Sequence, residues 1–163
     1  MAATLAGGAA ALVLLLTVAA FAYLAKEARQ AIPPAGVRVT VSVPPDVRVG
    51  SPATVRVIVT NARSRPVDVS ELFIGSELLD HFDRVAVHPA NQPAEPSMPV
   101  LKGLTYPVNR TVKSTQALTI RLEMTPRAAG AFSGLLTLTV DGQPVGRPVI
   151  VPVAGVRGDR VRG

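Results

Sequence analysis

From Val37 onward, apolar and polar residues alternate with a period of two. Val37, Val39, Val41 and Val43 are interleaved with Arg38, Thr40 and Ser42, the signature of a half-buried strand. Pro44-Pro45-Asp46 ends it, and a short piece, Val47-Arg48-Val49, leads to a turn at Gly50-Ser51-Pro52. A second long strand is predicted over Ala53–Thr60, with Val55, Val57 and Val59 inward, and a third over Val67–Ile74 after the loop Asn61–Pro66. In the third strand the apolar register shifts between Val69 and Leu72, which predicts a bulge. Alternation returns at Ala117–Met124, with Leu118, Ile120 and Leu122 inward and Thr119, Arg121 and Glu123 outward. Phe132, Gly134, Leu136, Leu138 and Val140 share a face of the next strand. Asp141-Gly142 is a two-residue hairpin signal, and Val145–Val153 is the return strand, marked as an edge by Pro148 and Pro152.

The middle of the chain reads differently. Leu78, Leu79, Phe82 and Val85 within Gly75–Val87 fit either a helical turn or packing beneath a loop. His88–Val108 contains five prolines, at 89, 93, 96, 99 and 107. That spacing predicts a long loop and excludes a helix or a central strand. Long loops in compact domains carry function more often than short connections do. The apolar residues Leu101, Leu104 and Tyr106 exceed what a solvated loop needs, so they are the expected partner-binding residues, or else a cap on the end of the sandwich.

These runs amount to about seven strands without an amphipathic helix or an internal repeat. The expected fold is an all-β, antiparallel sandwich of two sheets. Val47–Asn61 (VRVGSPATVRVIVTN) and Leu118–Gly142 (LTIRLEMTPRAAGAFSGLLTLTVDG) resemble prokaryotic immunoglobulin-like modules of the fibronectin type III and bacterial cell-adhesion-related kind. The resemblance covers about Val37–Val153 and implies an immunoglobulin-like β-sandwich that acts by contact rather than catalysis. It departs from the simplest such modules in the long proline-rich segment, and the Cys-Trp-Cys pattern of true immunoglobulin domains is absent.

Before the strands, Ala2–Ala25 carries no charge over 24 residues. As a helix this segment spans roughly 36 Å, enough for a hydrocarbon core of about 30 Å. The expectation is one N-terminal transmembrane helix acting as an uncleaved anchor over 1–25. Ala20-Phe21-Ala22 also fits a signal-peptide cleavage site, although no Lys or Arg precedes Lys26. A proline-containing spacer over 26–36, a sandwich over 37–154 and a basic tail over 155–163 complete the organisation. Lys26 and Arg29 follow the span, and that charge count alone favours a cytoplasmic domain. The resemblance to β-modules that are displayed outside implies the opposite, and we expect a single-pass protein of the cell membrane with an extracytoplasmic domain.

Composition narrows the functions. There is no Cys, which removes disulfides, thiolate metal sites and Cys nucleophiles. The net charge of +6 comes mostly from single Arg residues spread among the strands. The one cluster is Arg157, Arg160 and Arg162, with no aromatic interleaved to stack on bases, so nucleic acid is not expected as a partner. Glu77, Asp80, His81 and Asp83 could hold a cation but lack the spacing and glycine of an EF-hand. Ser76, His81 and Asp83 are the nearest approach to a catalytic triad, and no nucleophile elbow or phosphate loop occurs. No cofactor, metal or catalytic residue is expected. The favoured function is a non-catalytic, membrane-tethered module for protein–protein interaction or structural support in a cell-envelope assembly. The alternative is an exported domain that binds a small ligand or metal through the 78–106 region.

Overall fold

A computed structural model of the chain describes residues 32–90, 95–96 and 102–155. The predicted transmembrane segment and nearly all of the basic tail lie outside the described residues. Within them, no helix is long and apolar enough to cross a membrane.

The elements run β1 (Val37–Ser42), β2 (Val47–Arg48), β3 (Ala53–Asn61), β4 (Val67–Gly75), a helical turn α1 (Ser76–Leu79), β5 (Phe82–His88), β6 (Glu95–Pro96), β7 (Gly103–Val112), β8 (Ala117–Pro126), β9 (Gly130–Val140) and β10 (Gln143–Ala154). They form two sheets. One has four strands in the order β1-β3-β8-β5, and the other six in the order β2-β10-β9-β4-β7-β6. All pairings are antiparallel except β10 with β2. One cluster of buried side chains drawn from both sheets fills the space between them. The predicted inward residues Val55, Val57, Val59, Ile120, Leu122, Leu136, Leu138 and Val140 are all buried there. Fully burying a side chain of this size contributes about 1.5–3 kcal/mol.

Three features of the sequence take the form their chemistry dictates. Val69 and Glu71 flank a register shift in both pairings of β4, at the place where the apolar alternation slips. Asp141 and Gly142 have φ of 48° and 73°, the two positive values of a type I′ turn. The Asp141 carboxylate accepts from the Asp68 N–H (3.0 Å) and from Arg63 Nη1 (2.7 Å), so the hairpin tip also fastens the start of β4. β10 is an edge over most of its length, because β2 covers only Val153 and Ala154. Gln143, which closes the hairpin, bonds toward β9; the outward backbone positions are therefore the even-numbered ones. Pro144, Pro148 and Pro152 occupy three of these and remove donors that would invite another strand.

The segment from Gly75 to Val112 corrects the sequence reading. His88–Val108 is not one long loop: β5 ends at His88, and Gly103–Val112 is a strand inside the six-stranded sheet. Pro107 is tolerated because it lies where the β4 ladder is broken by the bulge, opposite Glu71, and because the two-residue β6 reaches only Leu104 and Thr105. β5 was hidden by its own irregularity, a register shift between Asp83 and Ala86 with Arg84 at φ 52°. The described residues therefore contain ten strand segments rather than about seven. Of the two readings open for Gly75–Val87, the helical turn holds for Ser76–Leu79. Leu78 is buried against β9, where a Cβ at Gly134 would fall 2.6 Å from the Leu78 Cβ.

Antiparallel register fixes which loops share an end. The chain enters β1 beside the Asn61–Pro66 loop, the β7–β8 turn and the Asp141-Gly142 hairpin. The turn α1, the start of β7, the β8–β9 turn and the last described residue, Gly155, lie at the opposite end. The two ends are about 30 Å apart along strands of nine to eleven residues. At the entry end, Asn61 is a buried polar side chain with its hydrogen bonds made. Its Nδ2 donates to the carbonyls of Arg65 (2.8 Å) and Val112 (2.9 Å), and its Oδ1 accepts from the Arg63 N–H (2.9 Å).

Candidate functional site

The features that differ most from a plain sandwich gather at the end away from the chain entry. The turn α1 follows directly from β4 with Gly75 before it. It is tied to the approach to β7 by the Ser76 N–H, which donates to the carbonyl of Lys102 just before that strand (2.9 Å). Beside it, Glu77, Ser133, Gly134, Leu135, Pro148, Val149 and Ile150 line an open groove of about 340 Å³. Ile150 is 63% exposed, on an outward position of β10 where the sheet face would ordinarily carry a polar residue.

Leu101, Leu104 and Tyr106 separate. Leu101 lies outside the described residues. Leu104 is half-buried and packs on the core. Tyr106 is 4% exposed, and its hydroxyl makes a long hydrogen bond to the Val85 carbonyl, 3.5 Å away. It thus links β7 of one sheet to β5 of the other, and burial raises its hydroxyl pKa above the ordinary tyrosine value. On the opposite side of the sandwich Arg147 makes the matching link, its Nε donating to the Val39 carbonyl at 3.1 Å.

The acidic residues near α1 do not converge. Asp83 accepts from Arg127 Nε at 2.7 Å, and Arg127 Nη1 also reaches the Asp80 carbonyl at 3.3 Å. The His81 ring stacks on Phe132 with centroids 4.2 Å apart, and Phe132 meets Phe82 edge-on at 5.9 Å. Among the described residues no group of three or more His, Asp or Glu side chains is placed to share a metal ion.

Sequence reasoning missed Ile150. Its signal was present in Val149-Ile150-Val151, three consecutive apolar residues between Pro148 and Pro152. In a strand with one face buried, such a run puts an apolar side chain on the wet face.

No protein-family model matches the chain, and no curated protein matches it. Several solved structures are similar to it at low identity. Red sea bream transglutaminase is 19% identical with a TM-score of 0.46, over 72% of this chain and 15% of the transglutaminase. The chain thus corresponds to a small part of that protein's length. A cohesin module from a Clostridium perfringens family 33 glycoside hydrolase is 12% identical with a TM-score of 0.45, over 74% of this chain and 98% of the module. An uncharacterized Nocardia farcinica protein with an immunoglobulin-like fold is 17% identical with a TM-score of 0.41, over 69% of this chain and 81% of that protein.

Proposed function

We propose that this chain is a non-catalytic, membrane-tethered module of immunoglobulin-like type. In this reading it serves protein–protein interaction or structural support in a cell-envelope assembly. The uncharged segment over 1–25 anchors it in the cell membrane as a single pass, and the domain stands on the extracytoplasmic side. The observation that carries the reading is the apolar groove around Ile150 at the end of the sandwich opposite the chain entry. A tethered domain holds that end farthest from its attachment point. An isoleucine kept in water there lowers solubility and adds nothing to the core, and exposed apolar residues at a rimmed groove are where protein partners dock.

Leu101, Leu104 and Tyr106 belong to the same proposal. Leu104 and Tyr106 stand on β7, and the carbonyl of Lys102, the residue just before that strand, holds α1 and so positions the wall of the groove. The partner is another protein, recognised by apolar contact at Ile150, Leu135 and Pro148.

The test is a pull-down from detergent extract with the full chain and with Ile150→Asp. The expected outcome is loss of a partner that the parent chain retains, with an unchanged melting temperature. Equal recovery of the partner by both proteins rules the groove out. Membrane attachment is checked separately by carbonate extraction, in which the full chain is expected to stay in the pellet. Sidedness is checked by protease added to intact cells, which is expected to digest the domain.

A further inference from the structure

The outer face of the four-stranded sheet carries an arrangement that neither the core nor the partner proposal uses. Register places Ser42 opposite Arg56, Arg56 opposite Arg121, and Arg121 opposite His88. The four residues form one line across β1, β3, β8 and β5, and all four are exposed. Opposed residues on neighbouring strands have Cβ atoms about 5 Å apart, so two guanidinium groups rise side by side from the middle of the sheet. Like charges in directly opposed positions destabilise a sheet. Neither arginine is relieved: the side chains of Arg56 and Arg121 make no hydrogen bond or ion pair with the described residues, whose ion pairs are Arg63–Asp141 and Arg127–Asp83. The acid nearest in register is Glu123, opposite Thr54 in the adjoining row, and it bonds neither arginine. Arg56 also stands on the rim of an open depression of about 400 Å³ lined in part by Ser42, Thr54, Asp46, Pro44 and Pro52.

We propose that this row is a binding site for a phosphate-type oxyanion. One guanidinium already satisfies both oxygens of a carboxylate through a two-pronged pair of hydrogen bonds. Two guanidinium forks with the Ser42 and Thr54 hydroxyls beside them offer more donors than a carboxylate can accept. A phosphate group, with three or four tetrahedral oxygens, can accept from both forks together. The anion also removes the repulsion between Arg56 and Arg121, so binding and sheet stability favour each other. The site needs neither the membrane anchor nor the Ile150 groove. Free phosphate and a phosphate carried on a lipid headgroup present the same oxygens to it.

The full chain in a neutral detergent is titrated with inorganic phosphate by calorimetry, and the same titration is run on Arg56→Ala, Arg121→Ala, Arg121→Lys and Arg38→Ala. Arg38 lies on the same face but in a different row, opposite Thr60. Saturable binding is expected, at least tenfold weaker in each of the two row variants with alanine and within twofold of the parent in Arg38→Ala. Arg121→Lys keeps the charge without the fork and is expected to bind at least threefold more weakly. Thermal unfolding of each variant controls for folding. No saturable binding overturns the proposal, as does an equal loss in Arg38→Ala, which would show diffuse charge attraction. A second titration uses a short-chain phosphatidic acid. Tighter binding than inorganic phosphate with the same arginine dependence identifies a headgroup, and equal affinity identifies the free anion.

Discussion

The two outward faces of the sandwich differ far more than the two inward ones. Inside, both sheets present the same kind of surface, built mostly from Val, Leu and Ile. Outside, the four-stranded sheet carries Arg38, Arg56, Arg121 and Glu123 among threonine and serine hydroxyls, with the half-buried Ile58 between Thr40 and Thr119. On the six-stranded sheet, β9 has no charged residue, and the single charge on β10, Arg147, turns to the edge of β1. The β9–β10 part of that face is built instead from Leu135, Thr137, Thr139, Pro148, Ile150 and Pro152, while β4 farther across carries the exposed Asp68 and Glu71. Folding demands the inward half of each strand and leaves the outward half open, so a contrast between the outward halves points to what each surface meets. An arginine row suits an anion, and an apolar strip suits another protein.

The contrast of inside with outside yields the largest expected effect. Leu122 is buried and Arg121 beside it is exposed. Leu122→Ala is expected to lower stability by about 2–5 kcal/mol in denaturant unfolding. Arg121→Ala is expected to stay within about 0.5 kcal/mol, or to stabilise slightly by relieving Arg56. Equal losses would mean that the register of β8 is misassigned.

Next in size is Asn61→Ala, which strands the buried Val112 carbonyl and is expected to cost about 1–3 kcal/mol. Asn61→Asp tests the same site from the other side, since an acceptor replaces the donating amide and a comparable loss is expected. Gly134→Ala is expected to cost about 1–3 kcal/mol by pushing α1 off β9. A neutral result there would show that α1 is not seated on the sheet, and would remove one wall of the Ile150 groove.

A smaller effect concerns the link between the sheets. Burial raises the Tyr106 hydroxyl above its ordinary pKa of 10.0, so the folded state holds its proton more tightly than the unfolded chain. The associated stability is fully present below pH 10 and is lost as pH rises through the folded value. Stability measured from pH 8 upward is expected to fall in the alkaline range, and to fall less in Tyr106→Phe. Identical profiles would place the phenol in water.

Much of this architecture was legible because local rules agree with the global fold. Val55, Val57 and Val59 alternate cleanly, the slip at Val69 marks the bulge, and Asp141-Gly142 can scarcely be anything but a hairpin. β5 and β7 were illegible for a matching reason. Arg84 and Val85 break the alternation of one, and Pro107 disguises the other as a loop, each at an irregular place in its ladder. The outer surfaces were harder still. Arg56, Arg121 and His88 are separated by 65 and 33 residues in sequence, and they become neighbours only through the order β1-β3-β8-β5, which no local pattern encodes. Ile150 was visible as a third apolar residue in a row, but its meaning depended on knowing which face of β10 is wet.

The division of each strand into an inward half that folds and an outward half that binds is tested most directly by one thermal unfolding experiment. The variant Arg56→Ala, Arg121→Ala, Ile150→Thr changes both outward faces at once and touches no buried residue. Its melting temperature is expected to lie within about 4 °C of the parent chain, the shift that roughly 1 kcal/mol or less produces in a domain of this size. A drop as large as that of Leu122→Ala would show that the outer faces hold the sandwich together, and would contradict the assignment of those residues to binding.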